Sequence, residues 1–246
     1  MTDRSPVLEL QSVVGGYGRM TILNGCSFAV ARGAITTVIG PNGAGKSTCF
    51  KAIFGLLAVR EGRILLEGQD VRGASPAALI ARGVTYVPQG RNLFTELSVR
   101  ENLELGGVAL GSAAAMRPLV EAALDRFPIL RQKARDQAST LSGGQQKLLE
   151  IARGLIAEPR LILIDEPSIG LSPLMVKEVF ATLTGLRDQG VSILMVEQNA
   201  RSALAISDHA IVLESGRTRL AGTAQEILND PRVARLFLGG DAGDAA

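Results

Sequence analysis

Gly40-Pro41-Asn42-Gly43-Ala44-Gly45-Lys46-Ser47-Thr48 follows directly on the apolar run Ala34-Ile35-Thr36-Thr37-Val38-Ile39. The run has the length and composition of a buried strand, and Cys49 to Phe54 can continue as a helix. Between them, Gly40, Gly43 and Gly45 permit backbone conformations closed to other residues and bring amide N–H groups close to an anion. Lys46 adds a mobile positive charge, Ser47 a hydroxyl suited to Mg²⁺, and the helix N-terminus a favourable dipole. Strand, glycine loop, Lys-Ser and helix in that order predict a nucleotide-phosphate loop, against the blander reading of a glycine turn.

A chain of 246 residues can bury a sizeable core, as one α/β domain or at most two small ones. Its 46% hydrophobic and 20% charged residues exclude fibrous and disordered classes. The net charge is +2 with Lys and Arg spread along the chain, so no basic patch points to nucleic acid. Cys26 and Cys49 suit buried apolar positions in a reducing compartment better than a disulfide framework. No stretch approaches the roughly 18 apolar residues of a membrane span, and Met1 to Pro6 lacks the apolar core of a signal peptide. The expected place is the cytosol, with any membrane contact made through an integral partner.

Strands are expected at Val7–Val14, around Phe28–Val30, and at Ala34–Ile39, Ile64–Leu66 and Val84–Val87. Ser75-Pro76 starts a helix that stops at Gly83. From about 92 to 154 helical signals replace strands: Ser98-Val99-Arg100-Glu101 reads as a capping box, and Met116–Leu130 is helix-rich. Strands resume at Leu161–Ile164, Val191–Val196 and Ala210–Leu213, separated by helices, the first opening at Ser172-Pro173. Continuous apolar strands of this kind suit a parallel sheet covered on both faces. Residues 241–246 are expected to fray.

A magnesium-nucleotide site needs a carboxylate at the end of a buried strand near the phosphate loop. Leu161-Ile162-Leu163-Ile164-Asp165-Glu166 supplies two. Asp165 is placed to bind Mg²⁺, directly or through water, and Glu166 to polarise the water that attacks the γ-phosphate. A third motif, Leu141-Ser142-Gly143-Gly144-Gln145, opens a helix expected over Lys147–Ala157, whose first amides form a second anion-binding terminus.

In the order phosphate loop, Gln89, Leu141–Gln145, carboxylate strand and final switch residue, the sequence resembles the ATP-binding cassette family across nearly the whole chain. The resemblance implies a single domain over 6–240: a P-loop α/β core with a mainly parallel sheet, an antiparallel β region near the N-terminus and a helical subdomain inserted at about 92–154. It implies ATP and Mg²⁺ as cofactors and a head-to-tail dimer, with itself or a second cassette, in which Leu141–Gln145 closes over ATP held by the opposite subunit. By the same resemblance Tyr17 stacks on adenine, Gly40–Thr48 hold the phosphates, Gln89 and Ser47 join Asp165 at Mg²⁺, and Ser168–Ser172 form a dimer contact.

One departure stands out. Most of the family carries a histidine after the strand Val191–Val196, and this chain has Glu197-Gln198-Asn199-Ala200. Gln198 can donate a hydrogen bond to phosphate but cannot move a proton near neutral pH. Glu166 is therefore expected to be the base and Gln198 a γ-phosphate sensor; the sole histidine, His209, is expected to be structural. Gln198, Val87-Pro88-Gln89-Gly90-Arg91, Asp165-Glu166-Pro167-Ser168 and the ending Val233–Gly240 are similar to the smaller ATP-binding subunit of branched-chain amino acid importers. That implies integral-membrane permease partners at the cytoplasmic face of the inner membrane and, indirectly, an external substrate-binding protein. Urea and amide importers have similar ATPases, and a soluble cassette ATPase is the rival class.

Overall fold

The computed structural model describes residues 5–90, 92–108 and 113–233; Arg91 and the expected frayed tail lie outside them. Strands β1 (Leu8–Gly15) and β2 (Leu23–Val30) pair antiparallel, and β3 (Ile35–Ile39) runs into the glycine loop and helix α1 (Lys46–Ile53). β4 (Val59–Leu66) and β5 (Gln69–Asp70) return to the first sheet, and α2 (Pro76–Ala81) leads to β6 (Val84–Val87). Helices α3 (Val99–Gly106), α4 (Ala113–Arg126), α5 (Pro128–Gln132) and α6 (Gly143–Leu155) follow. The chain then alternates through β7 (Leu161–Asp165), α7 (Pro173–Asp188), β8 (Ser192–Val196), α8 (Ala200–Leu204) and β9 (His209–Glu214), and closes on β10 (Arg217–Thr223) and α9 (Ala224–Leu228).

Two sheets result. A four-stranded antiparallel sheet has the order β2-β1-β4-β5; a six-stranded sheet has the order β10-β9-β3-β8-β7-β6 and is parallel except for β10. The central strands β3, β7 and β8 are buried at every position because both faces are covered. Period-two alternation then divides β7 and β8 between two cores, while Ile39 at the end of β3 joins a third, smaller cluster with α8, β9 and α9. Ile162, Ile164, Ile193 and Met195 join the helices α3–α7, whereas Leu161, Leu163, Leu194 and Val196 join α1, α2 and the antiparallel sheet. The helical stretch is thus continuous with one face of the sheet. Cys26 and Cys49 are free and buried in the second core.

Local differences from the expectations have plain causes. The helix-rich stretch 116–130 breaks at Phe127 because Pro128 takes the first position of a new helix. α6 begins at Gly143, four residues before the expected start, because Ser142 and Gln145 form a reciprocal capping box. β5, β10 and α9 were not expected. β10 is an edge strand whose residues alternate only between exposed and half-buried, so it lacks an apolar signal. His209 begins β9 and pairs with Thr36 and Thr223, a structural position.

Candidate functional site

β6, β7, β8 and β3 lie side by side and parallel, so the loops leaving their C-terminal ends converge at one rim. These loops carry Gln89, Asp165-Glu166, Gln198 and the glycine loop. They line an open cleft of about 380 Å³ formed by Asn42 to Thr48, Gln89, Glu166, Ile169 and Gln198.

The glycine loop is anchored from both sides. A side-chain carbon at Gly40 would sit 2.3 Å from the Leu213 carbonyl, and Gly45 caps α1 at φ +98°. Ala44 O accepts a 2.9 Å bond from Gly216 N, and Gly216 O accepts one from Asn24 N, tying the loop to the β9–β10 turn and to β2. Lys46 and Ser47 already belong to the first turn of α1, which has no acidic residue there, leaving its N-terminal field to an external anion. Lys46 Nζ donates to the carbonyls of Gly40 (2.7 Å) and Pro41 (3.1 Å). Burial draws its pKa below the ordinary lysine value against the opposing pull of Glu166 and Asp165.

Behind the loop, Ser47 Oγ donates to Asp165 Oδ1 (3.3 Å) and the Tyr86 hydroxyl donates to Oδ2 (3.3 Å). Burial raises the Asp165 pKa despite these two bonds and the nearby Lys46 and Lys51 charges. Glu166 is one of the few non-glycine residues at positive φ (+49°), held there by its own N–H on Val196 O (2.9 Å). Its side chain accepts a 2.8 Å bond from Gln89 Nε2. Burial first, and the Asp165 charge second, raise its pKa, with Lys46 opposing.

Gln198 is exposed on the cleft wall, and the residue before it organises the wall. Glu197, 1% exposed, accepts from Ser168 N (2.8 Å), Ser168 Oγ (2.8 Å) and Gln198 N (3.1 Å), so it pins the loop after Glu166 to the loop after β8. Burial raises its pKa and these bonds oppose the rise. Neither Tyr86 nor Glu197 was singled out from the sequence. Both could have been found by the signal that exposed Asp165, a polar residue inside or directly after an apolar strand.

The remaining expected residues lie elsewhere. Tyr17 is half-exposed outside the cleft lining, with Lys51 Nζ 5.8 Å from its ring centre. Leu141–Gln145 are also outside the lining. Ser142 is exposed, whereas Leu141 is buried in the helical core and Gly144 packs on Met175, leaving no room for a side chain.

The sequence from 23 to 169 matches the family model for ABC transporters. The chain belongs to the ABC transporter family. It is 37% identical to the high-affinity branched-chain amino acid transport ATP-binding protein BraG of Pseudomonas aeruginosa, over 95% of this chain and 100% of that protein. It is 33% identical to the lipopolysaccharide export system ATP-binding protein LptB of Acidithiobacillus ferridurans, over 96% and 98%. The crystal structure of the ADP conformation of an ATP-binding cassette superposes with a TM-score of 0.85 at 30% identity, covering 96% of this chain and all of that one. This ABC protein is therefore an ATP-hydrolysing subunit with membrane permease partners. No helix among its described residues is long and apolar enough to cross a membrane.

Proposed function

We propose that the chain powers import of branched-chain, hydrophobic amino acids across the cytoplasmic membrane, hydrolysing ATP in the cleft bounded by the glycine loop, Gln89, Glu166 and Gln198. The observation that carries the reading is the convergence of those four strand-end loops in a chain that aligns end to end with a branched-chain transport ATP-binding protein. The phosphates lie on the amides of Gly43–Ser47, and Lys46 exchanges its two carbonyl acceptors for phosphate oxygens. Water attacks the γ-phosphorus, the bond to the β-phosphate oxygen breaks, and Glu166 takes the water's proton. Gln89 orients Glu166, and Gln198 donates to a γ-phosphate oxygen without carrying a proton.

Ser47 Oγ, Asp165 and the Gln89 side-chain oxygen are hard oxygen donors of the type Mg²⁺ prefers. Among the described residues no three His, Cys, Asp or Glu cluster as a cation site, which agrees with an ion that arrives with the nucleotide and keeps phosphate ligands. Bound Mg²⁺ would offset phosphate charge; Asp165, fixed by Ser47 and Tyr86, would be its protein anchor.

The exposed N-terminus of α6, led by Ser142, Gly143 and Gln145, serves the ATP of an opposite cassette, because none of it faces the cleft of its own chain. Residues 6–240 form one functional domain with the helical part at 92–154, and an external binding protein delivers the amino acid to the permease. The likeness to LptB supports a rival, lipid-export reading. A pull-down of tagged Glu166→Gln with ATP from detergent-solubilised native membranes separates them. Co-purification of two permease-like chains and a second cassette supports the importer, whereas recovery of lipopolysaccharide-export components contradicts it.

A further inference from the structure

Lys147, Glu150 and Arg153 occur every third residue on α6 and so share one side of that helix. Lys147 and Glu150 are 6% and 3% exposed and form an ion pair. A buried ion pair adds little net stability, since desolvation offsets the attraction, so its presence asks for another reason. The reason lies in what the group holds. Glu150 Oε1 accepts from Asn92 N (2.7 Å), and Arg153 donates to Asn92 O (2.6 Å). Asn92 Nδ2 in turn donates to the carbonyls of Pro88 (3.1 Å), Gln89 (3.3 Å) and Gly90 (3.3 Å), and Lys147 reaches Gly90 O at 3.5 Å. The loop that carries Gln89 is thus fastened to the helix that begins at Ser142. Gln89 is itself fastened to Glu166.

We propose that Glu150, balanced by Lys147, is a positioning residue for ATP hydrolysis: by gripping Asn92 it fixes where Gln89 meets Glu166 and ties that meeting to the position of α6. This rests on the reading of Gln89 and Glu166 given above. A displacement of the Ser142 end of α6 moves Lys147 and Glu150 with it, and the Gln89 loop follows because both its amide and its carbonyl groups are held. ATP affinity does not pass through this latch, because the glycine loop is anchored to β2 and the β9–β10 turn.

The test measures steady-state ATP hydrolysis by the purified full chain, with melting temperature and the Kd of a fluorescent ATP analogue as controls. Lys147→Met combined with Glu150→Leu removes the bond to Asn92 N and both members of the buried pair together, leaving Arg153 on Asn92 O. Asn92→Ala removes the other end of the grip and carries the test if the apolar pair fails to fold. Each is made alone and in a Gln89→Ala background. The expected result is a loss of about ten- to hundredfold in kcat, as for a displaced catalytic group, with KM unchanged. In the Gln89→Ala background neither change lowers kcat further. Losses that multiply with that of Gln89→Ala overturn the latch while leaving Gln89's role intact. A Gln89→Ala protein with undiminished kcat overturns the latch together with the reading of Gln89, whereas a latch variant that retains Gln89 and keeps wild-type kcat overturns the latch alone.

Discussion

Gln89 and Glu166 stand 77 residues apart and share a 2.8 Å hydrogen bond from Nε2 to Oε2. The contact exists because β6 and β7 are parallel neighbours, so the residues that leave their C-terminal ends must meet. It also defines the chemistry available: a carboxylate held by an amide donor, beside a phosphate-binding loop and a lysine.

Glu166→Gln keeps the size of the side chain and removes the base. ATP binding should persist, and phosphate release should fall by about 10²- to 10⁴-fold, the usual worth of a positioned general base. Size-exclusion chromatography with ATP should show the variant as a dimer, with itself or with a second cassette. A monomer under both conditions would contradict the shared site.

The pH dependence follows from the raised pKa of Glu166. The base works when ionised, so kcat is full above the raised value and declines as pH falls through it. The acid limb of the kcat profile should lie above the ordinary glutamate value of 4.5. A limb at or below that value would show the carboxyl is not held as described.

Asp165 should cost stability for the sake of the site. Its carboxyl is penalised by burial, so the fold is less stable whenever the group is ionised, and the penalty fades as pH falls through its raised pKa. Asp165→Asn should therefore raise Tm at pH 7 by about 2–4 °C while abolishing turnover, and the gain should shrink in acid. Calorimetry at two pH values checks both signs.

Glu197 should matter without touching substrate. Ser168→Ala removes the Oγ donor to the buried Glu197 carboxylate, leaves the backbone N–H bond in place, and should cost about 1.5–3 kcal/mol in urea unfolding, the range for hydrogen bonds to charged groups. Turnover should fall as well, because the loop after Glu166 loses one of its two bonds to Glu197, the residue that also holds Gln198.

Gly40→Ala should be destabilising by about 1–3 kcal/mol, as an inserted methyl in a packed site commonly is, because the new carbon meets Leu213 O. Gly185→Ala, where nothing lies within 4 Å, is the control and should be neutral or mildly stabilising.

Most of the parallel core was legible because its strands are uninterrupted apolar runs ending in chemistry: Ile39 before the glycine loop, Ile164 before Asp165-Glu166. The capping residues Ser75, Ser98, Ser142 and Ser172 marked four helix starts for a local reason, a side chain that accepts from the helix's own amides. β10 was not legible, since an edge strand needs little burial, although Ser215-Gly216 at its start is a hairpin signal. Tyr86, Glu150 and Glu197 were missed because their roles depend on partners 79, 58 and 29 residues away. A polar residue in or directly after an apolar strand flags Tyr86 and Glu197 as positions, but local sequence carries no trace of the distant partner each one meets.

The most direct test of the central claim is uptake of radiolabelled leucine, isoleucine and valine by cells whose only copy of this chain carries Lys46→Ala, with labelled urea as control. Uptake of the three amino acids should collapse while urea uptake stays at the wild-type level. Undiminished uptake of all three would contradict the assignment and leave an ATPase serving a different permease.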